Sequence, residues 1–235
     1  MSFPLETLPS YVDVTSVAQN TTSSDVTFTM DVAKTYGCAA AIVNPCFFAQ
    51  LLKERSGRTD IRLGSTASFP FGCDLTAVKL YGAQQTQLLG AQEIDVVMNV
   101  GEFLSGNTAL VEREMKLLVD TVGADIKVII ETALLSDEQI VEASRLAADC
   151  GVHYVKSSTG FYDKKVTPAQ IRLMKDAVGS KAKVKASGGI RTVQACQELI
   201  EAGASRLGIG ARSALAIFRE LDAMLGRNSP ELEGE

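Results

Sequence analysis

Apolar residues along this chain recur in two alternating rhythms: short unbroken runs, and longer amphipathic stretches in which they return every three or four positions, with glycine or polar loops between. The first rhythm is that of a buried strand and the second that of a helix laid on a core. The short runs fall at 11–15, 39–43, 61–68, 93–99, 126–131, 153–158, 182–187 and 206–210. Helical spacing fills 25–37, 46–55, 74–88, 107–122, 136–150, 167–178, 191–202 and 211–225. Ser136-Asp137-Glu138 supplies a capping start to one helix, and Thr167-Pro168 places proline at a first helical position. Strands apolar enough for burial on both faces, each followed by a helix and with no hairpins, predict parallel pairing with helical crossovers. Eight such units close into a (β/α)₈ TIM barrel. No linker or shift in composition divides residues 1–235, so one domain is expected, with 226–235 a loose acidic tail.

Composition narrows the partners. With 46% hydrophobic and 22% charged residues, the chain can bury a substantial core and is not disordered. A net charge of -5 gives no general attraction to nucleic acid or to an anionic membrane surface. The start, MSFPLETLPS, lacks the features of a signal peptide, and no run of eighteen apolar residues occurs, so a cytoplasmic location is expected. The five cysteines, Cys38, Cys46, Cys73, Cys150 and Cys196, have no zinc-binding spacing and read as reduced thiols, mostly buried. The single histidine, His153, begins an apolar strand and argues against both a His-built metal site and a Ser-His-Asp triad. No metal or other cofactor is expected.

Charge then appears where a barrel should be greasy. Asp95 alternates with Val97 and Asn99 in the fourth strand, and Lys127 with Ile129 and Glu131 in the fifth. Tyr154, Lys156 and Ser158 share a face of the sixth, and Lys183, Lys185 and Ser187 a face of the seventh. Alternation alone does not say which face lines the lumen. For any one of these groups, an exposed strand end or a buried ion pair with Asp95 or Glu131 is explanation enough. Taken together, Asp95, Lys156 and Lys185 point to chemistry.

Two neighbouring lysines have a definite use. Only a neutral amine attacks a carbonyl, and a free lysine, with a pKa near 10.4, is almost wholly charged at neutral pH. A poorly solvated lumen and a second ammonium both favour the neutral form. The carbonyl captured as a protonated Schiff base is an electron sink for cleavage of an adjacent carbon–carbon bond. A carboxylate within reach, Asp95, can shuttle protons. Glycines after the seventh strand, in Ser187-Gly188-Gly189-Ile190-Arg191, and after the eighth, in Gly208-Ile209-Gly210-Ala211-Arg212, let backbone N–H groups approach an anion. A phosphorylated carbonyl compound, a sugar phosphate, is the expected substrate class.

At these residues the chain resembles the deoxyribose-phosphate aldolase family from about residue 10 to residue 220. EIDVVMNVG, IKVIIETALL, YVKSSTGF and VKASGGIRT carry the resemblance most specifically, and AAAIVNP and SFPFG more loosely. It implies a class I aldolase that reversibly cleaves 2-deoxyribose 5-phosphate to glyceraldehyde 3-phosphate and acetaldehyde. Lys156 then matches the Schiff-base lysine, a choice over Lys185 that composition leaves open. Lys185 matches the second lysine, and Asp95 the acidic member of the proton relay. Thr15, of Asp13-Val14-Thr15, matches a position near substrate hydroxyls. Gly188 and Gly189 match phosphate-binding backbone, and Gly160, Gly208, Gly210 and Arg212 are assigned to the substrate and its phosphate.

The chain also departs from the family pattern. Gly208-Ile209-Gly210-Ala211-Arg212 stands where the family usually has a Gly-x-Ser-Ser type loop, Tyr162-Asp163-Lys164-Lys165 replaces a glycine-rich stretch, and Ile42 replaces a cysteine of some members. These changes keep alternatives open: a Schiff-base aldolase for a different or unphosphorylated aldehyde, a sugar-phosphate-binding barrel without turnover, or a sugar-phosphate isomerase. Barrels of this kind often form homo-oligomers, but no interaction patch is legible in the sequence.

Overall fold

In the computed structural model, which describes residues 3–232, the eight apolar runs form parallel strands that pair in sequence order, with the eighth closing on the first. They are β1 (Val12–Ser16), β2 (Ala40–Val43), β3 (Arg62–Ala67), β4 (Glu93–Val97), β5 (Asp125–Ile129), β6 (Tyr154–Lys156), β7 (Lys183–Ser187) and β8 (Arg206–Gly210). The helices are α1 (Ser23–Tyr36), α2 (Phe48–Arg55), α3 (Thr76–Leu88), α4 (Val100–Leu104), α5 (Thr108–Thr121), α6 (Asp137–Asp149), α7 (Pro168–Val178), α8 (Val193–Glu201) and α9 (Ala211–Met224). Capping boxes start α1 at Thr22 with Asp25, α6 at Ser136 with Gln139, and α7 at Thr167 with Gln170. The barrel expected from the alternation is the one observed.

The strands' two faces now separate. Val14, Ala41, Ile94, Val96, Ile126, Val128, Val155, Val184 and Leu207 belong to the apolar shell between sheet and helices. The intervening positions, among them Asp13, Glu93, Asp95, Lys127, Lys156 and Lys185, are buried but polar, and they pair with one another across the barrel. Period-two alternation therefore sends grease outward and charge inward.

Differences from the expected boundaries concentrate at the carboxyl ends of the strands. β4 stops at Val97, and Asn99 leaves the sheet to cap the short helix α4, accepting from the Glu102 N–H at 3.2 Å. β5 stops at Ile129, so Glu131 is not a strand residue; it takes a left-handed φ of 55°. β6 keeps only three of its six expected residues. A 3₁₀ turn over Leu5–Tyr11 precedes β1. In each case the chain curls away from regular pairing to build a loop, which alternation cannot report. The expected tail has no regular structure over 226–232, where Leu232 packs against the core; residues 233–235 lie outside the described residues.

The turn after β3 shows how tightly this rim is built. Gly72 has φ 69°, and a Cβ placed there would lie 2.3 Å from the Met98 carbonyl oxygen and 2.8 Å from a Val97 methyl. Gly57, with φ 81°, has nothing within 4 Å. Gly72→Ala is therefore expected to cost about 2 kcal/mol or more, against about 1 kcal/mol for Gly57→Ala. Urea denaturation checks this; equal midpoints for the two variants would contradict it.

Candidate active site

Register assembles the centre of the barrel. Lys156 on β6 is the Cα partner of Lys185 on β7, so both side chains leave the sheet on the same face at the same level. Asp95 on β4 is the partner of Lys127 on β5. Lys156 Nζ donates to Asp95 Oδ2 at 2.7 Å, and Lys185 Nζ donates to the same oxygen at 2.9 Å. Asp95 Oδ1 is buried without a hydrogen-bond partner. All three groups are buried, and the sequence expectation that they meet is met by a single shared carboxylate.

Beneath them lies a second layer. Lys185 Nζ is also 2.7 Å from Asp13 Oδ2. Lys127 reaches across the barrel from β5 to Asp13 on β1 at 2.7 Å, donates to Glu93, and stands 3.8 Å from Asp95 Oδ1. Arg206 on β8 bridges Asp13 Oδ1 at 2.5 Å and Glu93 Oε1 at 3.5 Å. Glu93 and Arg206 escaped the sequence reading, and Asp13 entered it only as a neighbour of Thr15. Glu93 stands two positions before Asp95, so its inward face was available from alternation. The other contacts join strands far apart in sequence, β1 with β5, β7 and β8, and leave no local signal. Glu131 does not pair with the lysines: its Oε2 accepts from the Thr159 N–H at 3.0 Å and from the Thr159 hydroxyl at 2.5 Å. Lys183 is exposed at the amino end of β7.

The electrostatics follow from this packing. Burial is the largest influence on Lys156; the Asp95 carboxylate opposes it and the Lys185 ammonium reinforces it, and the pKa is pushed down to about 8. Burial also opposes charge on Asp95, but Lys156, Lys185 and Lys127 outweigh it and hold this carboxyl well below the usual range. For Lys127, burial favours the neutral amine, yet Asp13, Asp95 and Glu93 prevail and push its pKa up. The Phe69 ring, 5.8 Å from Lys156 Nζ and packed edge-to-face on Phe161, covers the amine on the side of the turn after β3. At neutral pH the neutral amine is therefore far better represented at Lys156 than at a free lysine, of which roughly one in a few thousand is neutral.

A cavity of about 690 Å³ opens above this layer at the carboxyl ends of the strands. Lys156 and Asp95 reach its floor, and Thr15, Gly160, Gly188, Gly189, Gly208, Gly210 and Arg212 line its walls, whereas Lys185 forms no part of the lining. Gly188 and Gly189 have φ of 106° and 71°, the left-handed backbone expected of an anion cradle. Gly208 also makes room for Lys185, because a Cβ there would come within 3.1 Å of Lys185 Cε. Gly210 caps α9 in extended backbone. Arg212 is largely exposed and lies 3.2 Å from Asp25 Oδ1 on α1. Among the described residues no cluster of His, Cys, Asp and Glu suits a metal ion, and Cys46 and Cys73 are exposed while the other three cysteines are buried.

Comparison with known proteins agrees with this geometry. Residues 8–220 match the family described as DeoC/LacD family aldolase. The deoxyribose-phosphate aldolase of Caldicellulosiruptor saccharolyticus is 39% identical over 214 residues, covering 89% of this chain and 96% of the relative. That of Clostridium kluyveri is 43% identical over 187 residues, covering 79% and 84%. The tetrameric deoxyribose phosphate aldolase of Aeropyrum pernix superposes with a TM-score of 0.84 at 29% identity, covering 94% of this chain and 93% of that one.

The shared carboxylate makes a chemical prediction independent of any substrate. Lys185→Met removes a cation that crowds Lys156 and leaves Asp95 Oδ2 to Lys156 alone, and both changes raise the Lys156 pKa. Acylation of Lys156 by an amine-selective reagent at pH 7, followed by peptide mass spectrometry, is expected to slow about tenfold. An unchanged rate would contradict the coupling.

Proposed function

Because the chain belongs to the DeoC/LacD family of aldolases, we propose that it cleaves 2-deoxyribose 5-phosphate reversibly to glyceraldehyde 3-phosphate and acetaldehyde through a Schiff base on Lys156. The observation that carries this reading is the buried, partly neutral Lys156 amine at the floor of an open cavity, held against Asp95 beside a second lysine.

The neutral Lys156 amine adds to the C1 aldehyde of the open-chain sugar, and loss of water leaves a protonated imine. A base then takes the proton of the C3 hydroxyl. The C2–C3 bond breaks, its electron pair passes to C2 as an enamine, and C3 leaves as the aldehyde of glyceraldehyde 3-phosphate. Protonation of the enamine carbon and hydrolysis of the imine release acetaldehyde and restore the amine. Asp95 is placed for this traffic: one oxygen touches both lysines, and the other has no hydrogen-bond partner of its own. Lys185, held by Asp95 and Asp13, is the proton store next to it. No cofactor enters these steps.

The phosphate is assigned to the Gly188–Gly189 backbone and the start of α9, with Arg212 at the rim. Arg212 is braced on Asp25, and Ala211 offers no hydroxyl, so a weakened preference for phosphorylated substrates is the second reading. Self-association belongs to the proposal as well: the Aeropyrum pernix relative is described as tetrameric, and Leu75, Val78 and Tyr81 are exposed on and beside α3. Among the described residues no helix is long and apolar enough to cross a membrane, and the five free cysteines suit the cytoplasm.

Borohydride added with acetaldehyde is expected to fix an ethyl adduct on Lys156, and Lys156→Ala to abolish both adduct and turnover. An adduct elsewhere, or none, would remove the mechanism, and a barrel that only binds sugar phosphates would give none. Asp95→Asn is expected to lower kcat by roughly 10²- to 10⁴-fold. Assay of deoxyribose with and without its phosphate decides between the two substrate readings.

A further inference from the structure

The charges in the lumen can be counted against one another. Three buried carboxylates, Asp13, Glu93 and Asp95, are joined by ion pairs to three cations, Lys127, Lys185 and Arg206, and all lie inside the barrel. These six charges cancel. Lys156 is the fourth cation attached to the same network, through Asp95. At its outer edge Arg62 pairs with Glu93 and with Asp125, and because Arg62 and Asp125 are each about one-third exposed and opposite in sign, they add no net charge.

We propose that this network sets the state of Lys156 by charge balance: the lumen is electrically neutral only when the Lys156 amine is uncharged, which makes Glu93, Lys127 and Arg206 positioning residues for the amine. The inference rests on the proposed role of Lys156 as the imine-forming residue. An excess charge in a poorly solvated interior is costly, and removing one member of a buried set leaves its partner uncompensated. The network answers such a change at its most adjustable site. Lys156 is that site, because it touches a single carboxylate oxygen, whereas Lys127 touches both Asp13 and Glu93 and Arg206 bridges the same two.

The groups around Lys156 are accounted for on each packed element. β4 contributes Asp95, β7 Lys185, β5 Lys127 and β1 Asp13, while the turn after β3 contributes only the Phe69 ring. Glu131, beyond the end of β5, is buried too but forms none of the network's ion pairs; it accepts from the Thr159 N–H and hydroxyl instead. Cys38, close to Asp13, has its thiol pushed far up by burial and stays uncharged. The Tyr154 ring lies 5.4 Å from Lys127 Nζ and 5.9 Å from Arg206, and it fills the lumen below the lysines.

Charge balance and simple packing make different predictions for variants of opposite sign. Lys127→Met removes a cation, so protonation of Lys156 restores neutrality and the amine becomes harder to discharge. Glu93→Gln removes an anion and makes it easier. Neither residue lines the cavity. The full chain is incubated with acetaldehyde and cyanoborohydride across pH 6 to 10, and adduct on Lys156 is quantified by mass spectrometry, with circular dichroism reporting the fold. The midpoint of the pH profile is expected to rise by about one pH unit in Lys127→Met, to fall by about one in Glu93→Gln, and to stay in place in the charge-conserving Lys127→Arg. If a buried variant does not fold, Arg62→Gln at the exposed edge carries the same test, and the midpoint must rise. Midpoints that stay fixed, or that move in one direction for variants of both signs while Lys156 is still trapped, overturn the charge balance. Absence of trapping in the unmodified chain at every pH overturns the aldolase reading itself.

Discussion

Two ammonium groups compete for one carboxylate oxygen in a lumen that water scarcely reaches, and the rest of the structure is arranged around that competition. Asp95 Oδ2 receives Lys156 at 2.7 Å and Lys185 at 2.9 Å. Burial opposes charge on both lysines, and one carboxylate does not compensate two cations fully. Lys185 has a second carboxylate in Asp13, and Lys156 has none. The asymmetry leaves Lys156 as the less compensated amine, at the floor of the cavity, while its neighbour stays covered.

The barrel supplies this arrangement through register. Parallel pairing of β6 with β7 sets the two lysines side by side, and pairing of β4 with β5 sets Asp95 beside Lys127. Each strand carries its apolar residues to the helices and its charges inward. A layer of ion pairs and the Tyr154 ring thus replaces grease at the barrel's centre. Gly208 completes the fit by giving Lys185 the space a side chain on β8 would take. The departures from the family pattern lie at the rim, 161–165 in the loop after β6 and 208–212 at the end of β8 and the start of α9.

The sequence disclosed the fold well because strand and helix periods are local properties, and eight alternations admit few closures other than a barrel. It also disclosed Asp95, Lys156 and Lys185, since ionisable groups in apolar runs on neighbouring strands are hard to explain singly. Choosing Lys156 over Lys185 needed the family resemblance. In coordinates the difference is visible as the second carboxylate on Lys185. Glu93 was missed although its alternation with Asp95 gives its inward face, and Arg206 was missed because β8 meets β1 only when the barrel closes, which leaves Asp13 far away in sequence. Glu131 was placed on a strand because a left-handed residue does not interrupt the apolar pattern around it. The short helix α4 was hidden for a similar reason, being too brief to establish a period.

The reactivity proposed for this lumen depends on the ionisation of a single amine. Lysine labelled with ¹³C at Cε, observed by NMR through a pH titration of the unliganded protein and assigned with Lys156→Arg, reads that ionisation with no substrate or reaction involved. The Lys156 resonance should titrate with a midpoint of about 8. A midpoint at the ordinary lysine value near 10.4 would show that neither burial nor Lys185 eases the loss of the Lys156 proton, and would contradict this dependence.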